Sequence, residues 1–221
     1  MADECRKRGI PIRVGVNSGS LERDILEKYG APTAGALVES ALRGIELLER
    51  FDFEDIVVSV KSSDVKTTFD AYRLLSERTR RPLHLGVTEA GTERAGLVRS
   101  AAGIGGLLLL GIGDTVRVSL TDDPVCEIRA ARELLKAVGL RRDGVTLISC
   151  PTCGRTSGDL IGLVREAEKR LAGCDKPLKV AIMGCAVNGP GEAKDADIGI
   201  AAGKGCGVLI KKGEIIRKVG E

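Results

Sequence analysis

Hydrophobic and polar positions along the first two-thirds of the chain switch repeatedly between two periods. A β-rich run, IPIRVGV (10–16), precedes a helix-period stretch from about Thr33 to Arg50, marked by Leu37, Ala41, Leu42, Ile45 and Leu48. DIVVSVK (55–61) leads into a helical pattern from Asp64 to Arg80. PLHLGVT (82–88) leads into a Gly-rich helical segment ending at Leu110. TVRVSL (115–120) is followed by a helix that Pro124 opens and that stops near Gly139. Asp64 and Asp123 suit N-caps, Pro124 the first helical position and Gly139 a C-terminal stop. Nearly continuous apolar strands alternating with helices predict a parallel sheet covered by helices.

Four βα units are half of a (β/α) barrel. Such a half cannot close on itself, and it is expected to expose apolar edges and one open face. The opening ADECRKRG reads as a helix running into the first strand, so the chain is expected to lack an N-terminal portion or to complete its barrel through another chain. From about Gly144 the pattern changes. GVTLISC (144–150) and LKVAIMGC (178–185) read as strands ending in Cys, with an amphipathic helix from Gly158 to Leu171 between them. The runs DIGIAA, CGVLI and EIIRKV then follow, separated by Gly. A boundary near residues 140–144 divides a half-barrel, 1–142, from a small α/β domain, 143–221.

Composition narrows the chemistry. The 221 residues carry 34 Lys plus Arg against 31 Asp plus Glu, a net charge of +3, which is too small for a general nucleic-acid binder. Two Tyr, three Phe and no Trp leave little material for stacking on bases. One His, His84, excludes multi-histidine metal sites and paired-histidine catalysis. The longest apolar stretch, 101–113, is too short and Gly-rich to span a bilayer. The first residues have no signal-peptide core, which makes a reducing cytoplasm the expected location of the seven cysteines.

Polar residues gather at the predicted strand ends: Arg13, Asn17, Lys61, Glu89, Arg117 and Ser119. Those ends carry the chemistry of a (β/α) barrel. The cysteines offer a second signal. Cys150-Pro-Thr-Cys153 closes one strand and Cys185 another. Three thiolates are an incomplete set for structural zinc, and they suit a [4Fe–4S] cluster with one non-cysteine position better. Glu192, in Cys185-Ala-Val-Asn-Gly-Pro-Gly-Glu192, is a candidate for that position, with Gly and Pro bending the chain back. A carboxylate beside thiolates is a weakly held ligand on iron that a substrate oxygen could displace. The alternatives are a redox dithiol, a zinc half-site, or Cys174 or Cys206 as fourth ligand; Cys5 and Cys126 read as ordinary small residues on helices. His84, alternating with Leu83 and Leu85, points to a barrel layer as a candidate substrate contact. GIGDT and AAGKGCG match no phosphate-loop pattern and read as turns.

GIPIRVGVNSGS, VSVKSSDV, PLHLGVTEAG, GIGDTVRVSL, SCPTCGRT and MGCAVNGPGEA, in that order, resemble the C-terminal part of the 4-hydroxy-3-methylbut-2-enyl diphosphate synthase family, iron–sulfur enzymes of the non-mevalonate isoprenoid pathway. The resemblance covers essentially the whole chain, with roughly the first four barrel strands of the bacterial form missing. It implies an oxidoreductase for the two-electron reductive ring opening of 2-C-methyl-D-erythritol 2,4-cyclodiphosphate, with flavodoxin or ferredoxin as electron donor. It further implies that Cys150, Cys153, Cys185 and Glu192 hold the [4Fe–4S] cluster and that Glu89 acts in proton transfer, a role its carboxyl could fill if burial raises its pKa. Arg13, Asn17, Lys61, Arg117 and Ser119 match substrate-binding positions, and family members are homodimers. A different class of reading is a non-catalytic iron–sulfur or zinc module serving as electron carrier or partner subunit. The strand-end cations disfavour it, because a carrier has no use for an anion pocket.

Overall fold

Capping residues begin the helices of the βα alternation. Thr33 Oγ1 accepts from Ala36 N at 3.2 Å, Asp64 Oδ1 from Thr67 N at 2.7 Å and Asp123 Oδ1 from Val125 N at 2.8 Å. The computed structural model describes residues 1–203 and 205–220 and divides into two units, Met1–Leu140 and Arg141–Glu221. Lys204, inside the AAGKGCG segment, and Glu221 lie outside the described residues.

In the first unit, α1 (Ala2–Arg8) runs into β1 (Ile12–Asn17). After a 3₁₀ turn come α2 (Arg23–Tyr29), α3 (Ala34–Glu49), β2 (Ile56–Lys61), α4 (Val65–Ser76) and β3 (His84–Gly86). Next, α5 (Glu93–Ser100) passes through a π turn, Ala101–Gly105, into α6 (Gly106–Leu109), and β4 (Thr115–Arg117) and α7 (Pro124–Ala137) complete the unit. The sequence pattern left α2 out, because it has only seven residues; it stops at Gly30, whose φ of 71° is left-handed.

β1 and β2 pair in parallel, with Asn17 opposite Lys61, and so do β3 and β4, with Gly86 opposite Arg117. The two pairs are linked by the bridge Val58–Leu83 and, past the strand ends, by Thr88 N donating to the Ser62 carbonyl at 3.3 Å. The ladder between them is interrupted at Tyr72, fully buried on α4. Its hydroxyl accepts from Val60 N at 3.2 Å and donates to the His84 carbonyl at 2.5 Å, so a phenol occupies the gap in the ladder. β3 and β4 are shorter than the runs 82–88 and 115–120 predict. Among the described residues these strands form no closed barrel.

One face of the strands, carrying Val14, Val16, Val58, Val60, Leu83 and Leu85, packs on Leu37, Ala41 and Ile45 of α3 and Ala71 and Leu75 of α4. The face of β1 left open by the half-barrel is polar. There the face away from the helices presents Arg13, Gly15 and Asn17, all exposed, because β1 alternates strictly.

The second unit is a five-stranded sheet in the order β5 (Val145–Ser149), β6 (Leu178–Met183), β7 (Ile198–Gly203), β8 (Cys206–Lys211), β9 (Glu214–Gly220). The first three strands are parallel and the last two return as antiparallel hairpins. α8 (Leu160–Leu171) connects β5 to β6, and the single turn α9 (Gly189–Glu192) follows β6. The core here is small: Ala181, Met183, Ala193, Ala196, Ala201 and Ile210. Gly189 lets α9 lie against the sheet; a methyl group there would fall 2.8 Å from Ala201 Cβ and 2.9 Å from Met183 Cβ. No helix among the described residues is long and apolar enough to cross a membrane.

Candidate functional site

Parallel register places the strand-end cations of the first unit on one face. Arg13 pairs with Val57, Asn17 with Lys61, His84 with Thr115 and Gly86 with Arg117. All these positions alternate with the buried ones, so they share the face turned away from the helices. Lys61 reaches across that face, because a methyl group at Gly86 would stand 2.8 Å from Lys61 Cε. Glycine at 86 therefore leaves room for the ammonium beside β4.

The electrostatics record the convergence. Burial, then Arg13, then Arg117 push Lys61 down to about 8. Burial, then Lys61, Arg13 and Arg117 push His84 down to about 4, so its imidazole is neutral near pH 7. His84 Nδ1 is 2.8 Å from Thr115 Oγ1, whereas its buried Nε2 has no hydrogen-bond partner among the described residues. Arg117 Nε lies 3.9 Å from Glu127 Oε2, a contact too long and too exposed to neutralise it. Three cations and an uncharged imidazole thus form a cup suited to a multiply charged oxyanion.

Glu89 sits beyond β3 with a φ of 54°, a left-handed conformation that costs a non-glycine residue roughly 1 kcal/mol or more. Arg99 of α5 braces this turn, donating to the Ala90 carbonyl at 2.9 Å. Glu89 itself is exposed. Ser119 lies two residues past β4 and is half-buried, and Asn17 is exposed at the end of β1.

The thiols stand in the second unit. Cys150 follows β5 and Cys185 follows β6, the adjacent parallel strand. Cys150 Sγ accepts from Gly184 N at 3.1 Å, and Ser157 N donates to the Gly184 carbonyl at 2.8 Å, which ties the Cys-Pro-Thr-Cys loop to the end of β6. Backbone N–H groups hold two thiols below the usual range. That of Arg155 acts first on Cys153, and that of Asn188 first on Cys185. From Cys185 the chain closes one turn, with Gly189 N donating to the Cys185 carbonyl at 3.2 Å, and Glu192 stands exposed at the end of α9. Among the described residues no three His, Cys, Asp or Glu side chains stand close enough to hold a metal ion. The donor set nevertheless fits iron chemically, with soft sulfurs at neighbouring strand ends and two of them biased toward thiolate.

The remaining cysteines are also free: Cys5 on α1, Cys126 on α7, Cys174 after α8 and Cys206 at the start of β8. Cys206 lines a mainly apolar cavity of about 430 Å³ with Leu160, Leu163, Ile200 and Val219, which none of Cys150, Cys153 or Cys185 reaches. Sequence reasoning missed Tyr72 and its link between Lys61's strand and His84's. The only advance signal was a tyrosine on the apolar side of a helix, which needs a hydroxyl partner when buried.

Comparison with known proteins follows the same division. A family model described as the GcpE TIM-barrel domain matches residues 1–132, and one described as the GcpE protein C-terminal domain matches residues 146–221. The chain is 60% identical over 217 residues to a Clostridium perfringens protein named 4-hydroxy-3-methylbut-2-en-1-yl diphosphate synthase (flavodoxin), covering 98% of this chain and 62% of that protein. Proteins of the same name from Clostridium tetani and Fusobacterium nucleatum are each 59% identical over the whole chain, which covers 63% and 62% of them. The chain therefore spans less than two-thirds of the length of these relatives, yet it matches the models of both domains in order and belongs to the GcpE family.

Proposed function

We propose that this chain serves the reductive ring opening of 2-C-methyl-D-erythritol 2,4-cyclodiphosphate to 4-hydroxy-3-methylbut-2-enyl diphosphate, in the cytoplasm, as part of a homodimer that receives electrons from flavodoxin or ferredoxin. The observation that carries this reading is the convergence of Arg13, Lys61 and Arg117 on one face of the strands of the first unit. Cys150, Cys153, Cys185 and Glu192 would hold a [4Fe–4S] cluster, which when bound supplies electrons and a Lewis-acidic iron.

The chain's own residues bind and orient. Arg13 and Arg117 meet the phosphoryl oxygens with charge-assisted hydrogen bonds, and Lys61 adds a compact charge from the middle strand. Asn17, at the end of β1, and Ser119, past the end of β4, supply neutral polar contacts. Glu89, held by its strained turn, delivers the proton that the departing oxygen requires; docking of substrate would exclude water from this exposed carboxylate. An electron carrier without a substrate would not need these three cations.

The test is anaerobic reconstitution of the chain and of Cys185→Ser, with iron, labile sulfide and EPR of the reduced sample, followed by titration with the cyclic diphosphate. About four iron and four sulfide per chain, lost in the variant, together with saturable binding, are expected. Zinc in place of iron, or a loaded chain that ignores the cyclic diphosphate, overturns the reading.

A further inference from the structure

His84 has a ring nitrogen that the fold leaves unused. Its backbone carbonyl is taken by Tyr72 and its Nδ1 by Thr115, but Nε2 is buried without a partner among the described residues. A buried, unpaired ring nitrogen is costly unless something later satisfies it. The groups around it are mostly cationic: Arg13 from β1, Lys61 from β2 and Arg117 from β4. Asp114, just before β4, is turned to the Leu83 amide at 2.7 Å; Glu127 of α7 lies near Arg117; and the buried Tyr72 comes from α4. The π turn Ala101–Gly105 adds no titratable side chain.

We infer that His84 is the proton-accepting member of the anion cup: in acid solution, binding of a diphosphate between Arg13, Lys61 and Arg117 brings a proton from solvent onto its imidazole. This rests on the reading of the cup as a diphosphate site. While the cup is empty, three positive charges and burial keep the ring neutral. A polyanion offsets the charges and gives the new N–H a partner or a favourable field, so His84 becomes a fourth cation only when there is an anion to meet. The cup thus avoids carrying a fourth positive charge in its free state.

The chain has one histidine, so its imidazole signals are unambiguous in proton–carbon NMR. The experiment titrates the unmodified 221-residue chain with and without saturating inorganic diphosphate. The midpoint, about 4 in the free chain, is expected to rise by about one unit or more. The diphosphate Kd, corrected for the ionisation of diphosphate itself, should tighten about tenfold for each unit of rise as pH falls through the window between the two midpoints. His84→Gln should bind diphosphate without that extra pH dependence. If backbone amides at Arg13, Lys61 and Arg117 respond to diphosphate while the imidazole midpoint stays put, the inference fails and the cup stands. If nothing responds at millimolar diphosphate, both fail.

Discussion

The two units solve the packing problem differently. Met1–Leu140 is held by side-chain volume: Ile25, Leu37, Ile56, Tyr72, Leu75, Leu85, Ile104 and Leu107 are all essentially inaccessible. Arg141–Glu221 has a core cluster of alanines with Met183 and Ile210, with Leu160 and Ile182 also buried, and its backbone approaches closely at Gly189 and Gly199. Large aliphatic side chains each contribute about 1.5–3 kcal/mol on burial, and alanines far less. The first unit can therefore carry a cluster of like charges on its open face. The second has little volume to lose and instead depends on strand ladders and on contacts that only glycine permits. A bound cluster would add to its stability.

Substitutions can break or sharpen this contrast, and the largest effect belongs to the volume-filled unit. Leu85→Ala should cost about 2–5 kcal/mol in urea unfolding, with hydrogen exchange accelerated in β1–β4 and not in β5–β9. A loss below 1 kcal/mol would mean that this core is not what holds the unit. In the other unit the damaging change is an addition. Gly189→Ala should cost roughly 1–3 kcal/mol, because the new methyl meets two Cβ atoms fixed to the sheet; amide exchange in β6 and β7 would report it. An unaffected protein would show α9 free to shift.

Tyr72→Phe removes a hydroxyl from a fully buried ladder gap and should cost about 1–3 kcal/mol by the same denaturation assay. It should also move the His84 titration midpoint, which separates misplacement of the cup from general loss of stability. The smallest effect is one of pH. Folding lowers the pKa of His84 and of Lys61, so the unfolded chain binds more protons and stability rises with pH. The rise spans about 4 to 6.5 for His84 and about 8 to 10.5 for Lys61. Replacing His84 by Gln should flatten the lower segment of a plot of urea midpoint against pH. Partial solvent exposure of both groups keeps the slope shallow.

Much of the site was legible before any coordinates. Lys61 and Arg117 close their strands while Arg13 lies near the start of β1, and period-two alternation already puts each on the face opposite the valines and leucines. The Cys-Pro-Thr-Cys spacing and Cys185 stand at the ends of two strands that pair directly. Three things were not legible. Nothing local says that Tyr72 reaches from a helix into a gap between strands, since a buried tyrosine can satisfy its hydroxyl on any nearby carbonyl. The left-handed backbone at Glu89 has no marker in VTEAG, where glycine would be the usual choice for such a φ. The exposure of the Glu89 carboxylate depends on which elements surround it.

The sequence by itself determined, α2 apart, the order of strands and helices, the caps Asp64 and Asp123 and which residue of each strand belongs to the core, because these follow from periods of two and 3.6 and from hydrogen bonds within a few residues. Only the tertiary structure decided how neighbouring strands register, that one phenol substitutes for part of a ladder, and that His84 stays neutral among three cations. Those outcomes depend on distances between residues remote in the chain, and both burial and Coulomb energy are functions of such distances alone.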